Sequence, residues 1–183
     1  SGNTVRVEFK HRRWGWSSGK ARFDITMPSQ FDTDLRTSGG DIEIRGSVSG
    51  RVKGSTSGGD VTVENVLKGG RVDLSTSGGN MRAANVEGDV TLRTSGGDIE
   101  LGKVSGEVSV ITSGGNIIVE SVGKTLKAST SGGDIEIGDI GGEARVGTSG
   151  GNIKIKKVSG SVSMNTSGGN IDLESASGNV SAN

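Results

Sequence analysis

The stretch TSGGDIELGKVSGEVSVI, residues 94–111, contains the pattern that decides the fold. Ile99 and Leu101 alternate with polar residues, and Val108 and Val110 do the same nine residues later. Alternation with a period of two is typical of half-buried β-strands. The Ser- and Gly-rich segments before each apolar pair have the composition of turns. The stretch therefore predicts two short strands and two corners.

The tetrapeptide Thr-Ser-Gly-Gly occurs eight times, each time followed by Asp or Asn and then by an apolar residue. The copies begin at Thr37, Thr56, Thr76, Thr94, Thr112, Thr130, Thr148 and Thr166. After steps of 19 and 20 residues, the spacing stays at 18 for five consecutive intervals. A fixed short period indicates a stacked repeat architecture.

If each repeat forms one coil, residue i lies over residue i+18 at about 4.8 Å, the distance between neighbouring strands. Roughly eight coils then give a rod about 40 Å tall. A helical repeat is disfavoured, because each Gly in a helix interior costs about 1 kcal/mol and a two-helix unit needs a longer repeat. An antiparallel sandwich would not need identical corners in register. The sequence therefore predicts an all-β fold, a single-stranded parallel β-helix (β-solenoid) with about 18 residues per coil.

Two intervals between repeats are longer than 18 residues. The first carries one extra residue near Gly46, and the second carries two near Gly69. Because corners tolerate insertions better than strands do, we expect both insertions at the second corner of the coil.

Residues 1–36 precede the first repeat and follow another pattern. Apolar residues alternate with polar ones over 5–9 and 21–27, on either side of the basic and aromatic segment HRRWGWSSGK. We predict a β-hairpin that caps the N-terminal end of the solenoid, followed by a lead-in strand. A cap is expected because an end coil otherwise exposes unpaired backbone and core. The solenoid is predicted over 37–183, within one domain overall.

Charge and composition exclude several classes of function. The 21 Lys and Arg residues equal the 21 Asp and Glu residues, so we expect no nucleic-acid partner. The chain has no Cys and therefore no thiolate chemistry. No apolar run approaches the roughly 18 residues that span a bilayer, so we expect no membrane span in this chain. Because the chain begins abruptly, we expect a domain of a longer protein whose targeting segment or anchor lies outside it.

The residue after each Gly-Gly pair forms a column when the repeats stack. The column is Asp41, Asp60, Asn80, Asp98, Asn116, Asp134, Asn152 and Asn170. Two carboxylates at the coil spacing repel by roughly 1 kcal/mol in water, and alternation of Asp with Asn lowers that repulsion and permits amide-to-carboxylate hydrogen bonds. The column is either a chain of cation sites or a structural ladder, and we favour the ladder.

The calcium-binding β-roll, with the repeat G-G-x-G-x-D-x-U-x, is the nearest comparison for a cation site. This chain lacks the third Gly followed two residues later by Asp, so the oxygen ligands that calcium needs do not converge. We predict no metal site. The columns of Thr and Ser permit an ice-binding or polysaccharide-binding face, but we favour their role in strand and corner geometry.

The chain offers few residues for catalysis. His11 is the only His, and no Gly-x-Ser-x-Gly motif lies between a strand and a helix. Acidic pairs such as Asp98 with Glu100 and Asp134 with Glu136 suggest a polysaccharide-active β-helix enzyme as the alternative. These pairs recur with the repeat, whereas a catalytic site is normally a local exception. We therefore predict no enzyme activity, no catalytic residue and no cofactor.

The tip of the predicted hairpin is the local exception to the repeat. Its binding candidates are His11, Arg12, Arg13, Trp14 and Trp16. Trp and Arg side chains stack on sugar rings and anchor protein interfaces, so if this tip binds, a glycan or a protein on a surface is the expected ligand. The same side chains also suit folding over the first coil as part of the cap, and we favour this capping role over binding.

The chain resembles a family of bacterial β-solenoids that is provisionally labelled adhesin and long classed as a domain of unknown function. The likeness lies in ITMP at residues 25–28, LRTSGGDI at 35–42 and SGGDIEI at 131–137, and it covers nearly the whole chain. The resemblance implies a right-handed β-helix at the bacterial cell envelope, and hence an extracytoplasmic location in the periplasm or at the cell surface. It implies a non-enzymatic adhesin or binding scaffold and assigns no residue a role.

Overall fold

The structure is a computed structural model that describes residues 25, 26 and 28–183. Over these residues the chain forms seventeen strands and no helix. The first nine strands are β1 Thr33–Arg36, β2 Ile42–Val48, β3 Arg51–Ser55, β4 Val61–Val66, β5 Arg71–Ser75, β6 Met81–Val86, β7 Asp89–Arg93, β8 Ile99–Val104 and β9 Val108–Ile111. The others are β10 Ile117–Val122, β11 Leu126–Ser129, β12 Ile135–Ile140, β13 Ala144–Gly147, β14 Ile153–Val158, β15 Val162–Asn165, β16 Ile171–Ala176 and β17 Val180–Ala182.

The strands form two parallel sheets that face each other across one core. All odd-numbered strands lie in a nine-stranded sheet and all even-numbered strands in an eight-stranded sheet, each in chain order. Consecutive strands therefore lie in opposite sheets, and each coil adds one strand to each sheet. This arrangement confirms the predicted parallel β-solenoid with two strands and two corners in a coil.

The register confirms the predicted stacking of residue i on residue i+18. In the eight-stranded sheet Ile117 pairs with Ile99 on one side and with Ile135 on the other. In the nine-stranded sheet Leu126 pairs with Val108 on one side and with Ala144 on the other. The repeat period in the sequence is therefore the length of one coil.

Apolar columns from the two sheets fill the interior. Ile117, Ile135 and Ile153 are fully buried, and the core contains only Val, Ile, Leu, Met and Ala. Burial of one such side chain contributes about 1.5–3 kcal/mol. Branched side chains of this size suit a narrow space between two sheets, which agrees with the near absence of aromatic residues.

The strands of the eight-stranded sheet continue past the apolar pair that predicted them. In β8 the side chains of Ile99, Leu101 and Val104 are buried, whereas two successive residues, Gly102 and Lys103, face outward or are half-buried. A Cβ at Gly102 would collide with the carbonyl oxygen of Ala84 one coil earlier. The strand therefore bends at Gly102 and returns Val104 to the core.

The extra residue of the first repeat lies inside strand β2, so its predicted position at a corner is wrong. The register between β2 and β4 shifts between Ile44 and Ser47, as at a β-bulge. Gly46 has a φ of 78°, which glycine adopts without steric cost. Its N–H donates a hydrogen bond of 2.7 Å to the carboxylate of Glu64 on the next coil. A bulge thus absorbs one residue while the ladder resumes on both sides.

The second insertion lies at the second corner, as predicted. Gly69 has a φ of 90°, and the N–H of Gly70 donates a hydrogen bond of 3.0 Å to the carbonyl oxygen of Leu67. The two extra residues therefore form a local turn outside the sheets.

The stack begins before the first Thr-Ser-Gly-Gly copy. Strand β1 pairs in parallel with β3, with Thr33 opposite Val52. The predicted lead-in strand therefore joins the nine-stranded sheet. The predicted hairpin falls almost entirely on residues 1–24 and 27, which lie outside the described residues. In the described part of the chain, no helix has the length and apolar character of a membrane span.

Candidate functional site

The Thr hydroxyls of the repeats connect each corner to the corner before it. Thr112 donates a hydrogen bond of 2.9 Å to the carbonyl oxygen of Gly97, and its oxygen accepts one of 3.3 Å from the N–H of Gly115. The same two bonds recur at Thr56, Thr76, Thr94, Thr130, Thr148 and Thr166. The Thr column is therefore engaged within the stack and unable to form a binding face.

The second Gly of the motif is required by the close approach of neighbouring corners. A Cβ at Gly115 would collide with the backbone of Gly97, whereas the nearest atom to a Cβ at Gly114 is 3.4 Å away. Among the described residues, only Gly46 and Gly69 have a positive φ, so the corner glycines do not serve a left-handed turn. Glycine is present because the coil below leaves no room for a side chain.

The Asp and Asn column accepts backbone hydrogen bonds from the next coil. The N–H of Asn116 donates to Oδ1 of Asp98 at 2.7 Å, and the N–H of Asp134 donates to Oδ1 of Asn116 at 2.8 Å. Equivalent bonds of 2.6–2.9 Å join the other neighbours, Asp41 to Asp60, Asp60 to Asn80, Asn80 to Asp98, Asp134 to Asn152 and Asn152 to Asn170. One amide-to-carboxylate bond of the expected kind is present, from Nδ2 of Asn152 to Oδ1 of Asp134 at 3.1 Å.

The side-chain oxygens of this column bind backbone N–H groups, which makes the column less suited to bind cations. In each pair one side-chain oxygen already accepts a hydrogen bond from the following coil, so it is partly unavailable to a metal. Over the described residues there is no group of three or more His, Cys, Asp or Glu side chains that could hold a metal ion. Both corner columns are thus part of the architecture.

The outer face of the eight-stranded sheet carries the acidic residues considered for catalysis. Glu100, Ile118 and Glu136 stack in register on successive coils, which separates the two carboxylates by about 10 Å. Glu100 forms an ion pair of 2.8 Å with Arg82, and its side chain is 51% exposed. Both carboxylates lie on an open face, where water competes with any substrate.

The outer face of the eight-stranded sheet has two grooves that cross successive coils, and each therefore extends along the solenoid axis. The smaller has a volume of about 430 Å³ and lies between the column of Glu100, Ile118 and Glu136 and the bend at Gly102 and Gly138. The larger, which we call the axial groove, has a volume of about 640 Å³ and lies beside the second corner. Its lining includes Asn85, Lys103, Ser121, Asp139, Gly123 and Gly141.

The axial groove was not predicted from the sequence. Strict alternation from Ile99 and Leu101 would place Lys103 in the core, and only the polarity of Lys103, Ser121 and Asp139 indicates that they face outward. The hollow lies beside Gly123 and Gly141, which carry no side chain, and it is visible only once the coils are stacked. The candidates His11, Arg12, Arg13, Trp14 and Trp16 lie outside the described residues, so their position relative to the groove is not described.

A protein-family model described as Toastrack DUF4097 matches residues 1–144. The match covers the N-terminal segment and the repeats as far as strand β13. No curated protein and no solved structure gave a match to the chain.

Proposed function

The chain belongs to the Toastrack DUF4097 family, a domain of unknown function with a β-solenoid fold, and on that basis we propose that it is a non-enzymatic binding scaffold. The scaffold acts at the bacterial cell envelope or surface, where it serves as an adhesin for a glycan or a protein. The location follows from the resemblance of its repeats to envelope β-solenoids. No cofactor takes part.

The observation that carries this proposal is that the residues of the repeated motif bind to neighbouring coils. Thr112, Gly115 and Asp98 all contact the neighbouring coil, and their equivalents do so along the stack. The motif therefore builds a rigid rod with two long outer faces. A regular rod suits the display of many weak contacts to an extended ligand, because linked contacts add avidity.

The open geometry of the acidic residues favours binding over catalysis. Glu120, Glu100 and Arg82 line the smaller groove, and the side chains of all three are at least half exposed to water. Catalytic acids usually depend on a site that excludes water and holds the substrate in one orientation. The alternative of a polysaccharide-active enzyme has support only from the groove that Glu100 and Glu136 line.

The binding experiment uses the full chain immobilised on a surface and a panel of glycans, matrix proteins and bacterial cells. We expect retention of at least one ligand class, and loss of part of that retention in the double variant Trp14→Ala and Trp16→Ala. Ile111→Ala is the matched control, because Ile111 is 44% exposed on the nine-stranded sheet. Absence of retention on the whole panel would contradict the proposal.

The enzyme alternative has its own measurement. The chain is incubated with polysaccharides, and the release of reducing or unsaturated sugar ends is followed over time. We expect no release above the buffer control. Release that disappears in Glu100→Gln or Glu136→Gln would replace the binding scaffold with a polysaccharide-active enzyme.

A further inference from the structure

We propose that the axial groove binds a linear, uncharged glycan whose chain runs parallel to the solenoid axis. This inference rests on the proposed binding function, but it assigns binding to a site other than the hairpin tip. It is carried by the shape of the groove, by the spacing of its polar side chains and by its balance of charge.

The spacing of one groove wall suits a polymer. Asn85, Lys103, Ser121 and Asp139 pair in register on four successive coils. Polar side chains therefore recur at about 4.8 Å along the axis. A linear glycan presents hydroxyl groups at a similar interval. Successive sugar residues can therefore contact successive coils, one sugar for each coil.

The opposite wall of the groove contains two glycines, and the close approach of the coils disfavours side chains at these positions. Gly123 and Gly141 lie there, between Ser105 and Ser159. A Cβ at Gly123 would meet the carbonyl oxygen of Ser105, and a Cβ at Gly141 would collide with that of Gly123. Side chains at these two positions would therefore require the backbone to move, so this part of the groove stays free of side chains.

The chemistry of the lining matches a sugar chain. The floor is formed at Val86, Val104 and Val122, whose side chains are buried in the core, so the groove meets the backbone of these residues. The rim presents hydroxyl and amide groups, including those of Ser121 and Asn85. Sugar rings have polar edges, and hydroxyl and amide groups such as these both donate and accept hydrogen bonds.

The charges of the lining balance. Lys103 and Lys157 contribute two positive charges, and Glu87 and Asp139 contribute two negative charges. A groove without net charge gives no electrostatic advantage to an acidic polysaccharide or to a nucleic acid. A peptide strand would need an open sheet edge, whereas the groove lies on a face whose backbone is paired on both sides.

The test is an NMR titration of the full 183-residue chain, labelled with 15N, with cellohexaose and chitohexaose as uncharged probes. We expect amide shifts at Ser105, Ser121 and Asp139, and none at Ser109 on the opposite sheet. Affinity is expected to fall with chain length from the hexaose to the disaccharide, because fewer coils are contacted. Shifts confined to other surfaces would overturn the inference, as would the absence of binding by both hexaoses.

A pair of variants separates the groove from the rest of the surface. Ser121→Trp fills the groove and is expected to weaken binding at least tenfold, about 1.4 kcal/mol. Ser109→Trp places the same half-buried outward substitution on the nine-stranded sheet and should bind as the original chain does. Equal binding by both variants would overturn the inference, as would tighter binding of oligogalacturonate than of the uncharged probes.

The outcomes distinguish this inference from the proposed function. Retention on the panel that depends on Trp14 and Trp16, without any effect of Ser121→Trp, would remove the groove site and leave the binding scaffold. If Ser121→Trp fails to fold, the shift map of the original chain decides between the two sheets.

Discussion

The hydroxyl of Thr112 donates a hydrogen bond of 2.9 Å to the carbonyl oxygen of Gly97 in the preceding coil. Thr112 is only 2% exposed, and its oxygen also accepts a hydrogen bond from Gly115 within its own corner. One hydroxyl thus orders a corner and joins it to its neighbour. Among the described residues, no buried side-chain nitrogen or oxygen lacks a hydrogen-bond partner.

The first prediction concerns the replacement of Thr112 by Val, which has the same shape without the hydroxyl. The carbonyl of Gly97 and the N–H of Gly115 then lose their partner in a buried site. We expect the free energy of unfolding, measured in urea, to fall by about 1–3 kcal/mol.

Two variants control this measurement. Thr112→Ser keeps both hydrogen bonds and should lose less stability than the Val variant. Thr91→Val changes a half-buried Thr on an outer face and should have an effect within about 0.5 kcal/mol. Equal stability of Thr112→Val and the original chain would show that the hydroxyl does not hold the corners together.

The second prediction compares the two glycines of one corner. Gly133→Ala places a Cβ against the backbone of Gly115, whereas a Cβ at Gly132 has its nearest neighbour at 3.5 Å. We expect Gly133→Ala to lower the free energy of unfolding by at least about 1–3 kcal/mol, as overpacking does. Gly132→Ala should change it little, and thermal unfolding followed by circular dichroism compares the two. A similar loss in both variants would contradict the close approach of the coils.

The general architecture could be predicted from the sequence because it depends on two local periods. Alternation places Ile99 and Leu101 in the core, and the 18-residue period places Ile117 over Ile99. Both are properties of the chain that need no knowledge of tertiary contacts. The bulge at Gly46 was not predicted, because a single inserted residue lengthens the repeat by one whether it lies in a strand or at a corner.

The details of the corners and grooves could not be predicted, because they depend on distances between coils. The need for Gly133 appears only when the backbone of Gly115 is placed beside it. The hollow beside Ser121 likewise requires the positions of Gly123 and Gly141 on the neighbouring coils. The sequence indicated which residues face outward but not which of them enclose a ligand.

The third prediction concerns the Asp and Asn column. Asp98→Ala removes the acceptor of the Asn116 N–H, a bond of 2.7 Å on the exposed corner. We expect a loss of about 0.5–1 kcal/mol in the free energy of unfolding, because water partly replaces the acceptor. Asp98→Asn keeps an oxygen at that position and should remain within about 0.5 kcal/mol of the original chain. A loss in the Asn variant as large as in the Ala variant would instead require a role for the charge.

The fourth prediction concerns metal removal. Because Oδ1 of Asp98 and its equivalents accept backbone hydrogen bonds, we expect no change in the melting temperature after treatment with EDTA. Thermal unfolding with EDTA, and then with added calcium, checks this. A fall of several degrees that calcium reverses would show that the column holds cations.

The central claim is that the repeated corner motif holds the coils together and leaves the outer faces for binding. Its most direct test is amide hydrogen exchange at Asp98, Asn116 and Asp134, whose side chains are exposed at the corners. Each of these N–H groups donates to the Asp or Asn of the preceding coil. We predict exchange at least about a thousandfold slower than in an unstructured chain. Exchange at the unstructured rate, while the strand amide of Ile117 stays protected, would contradict the claim.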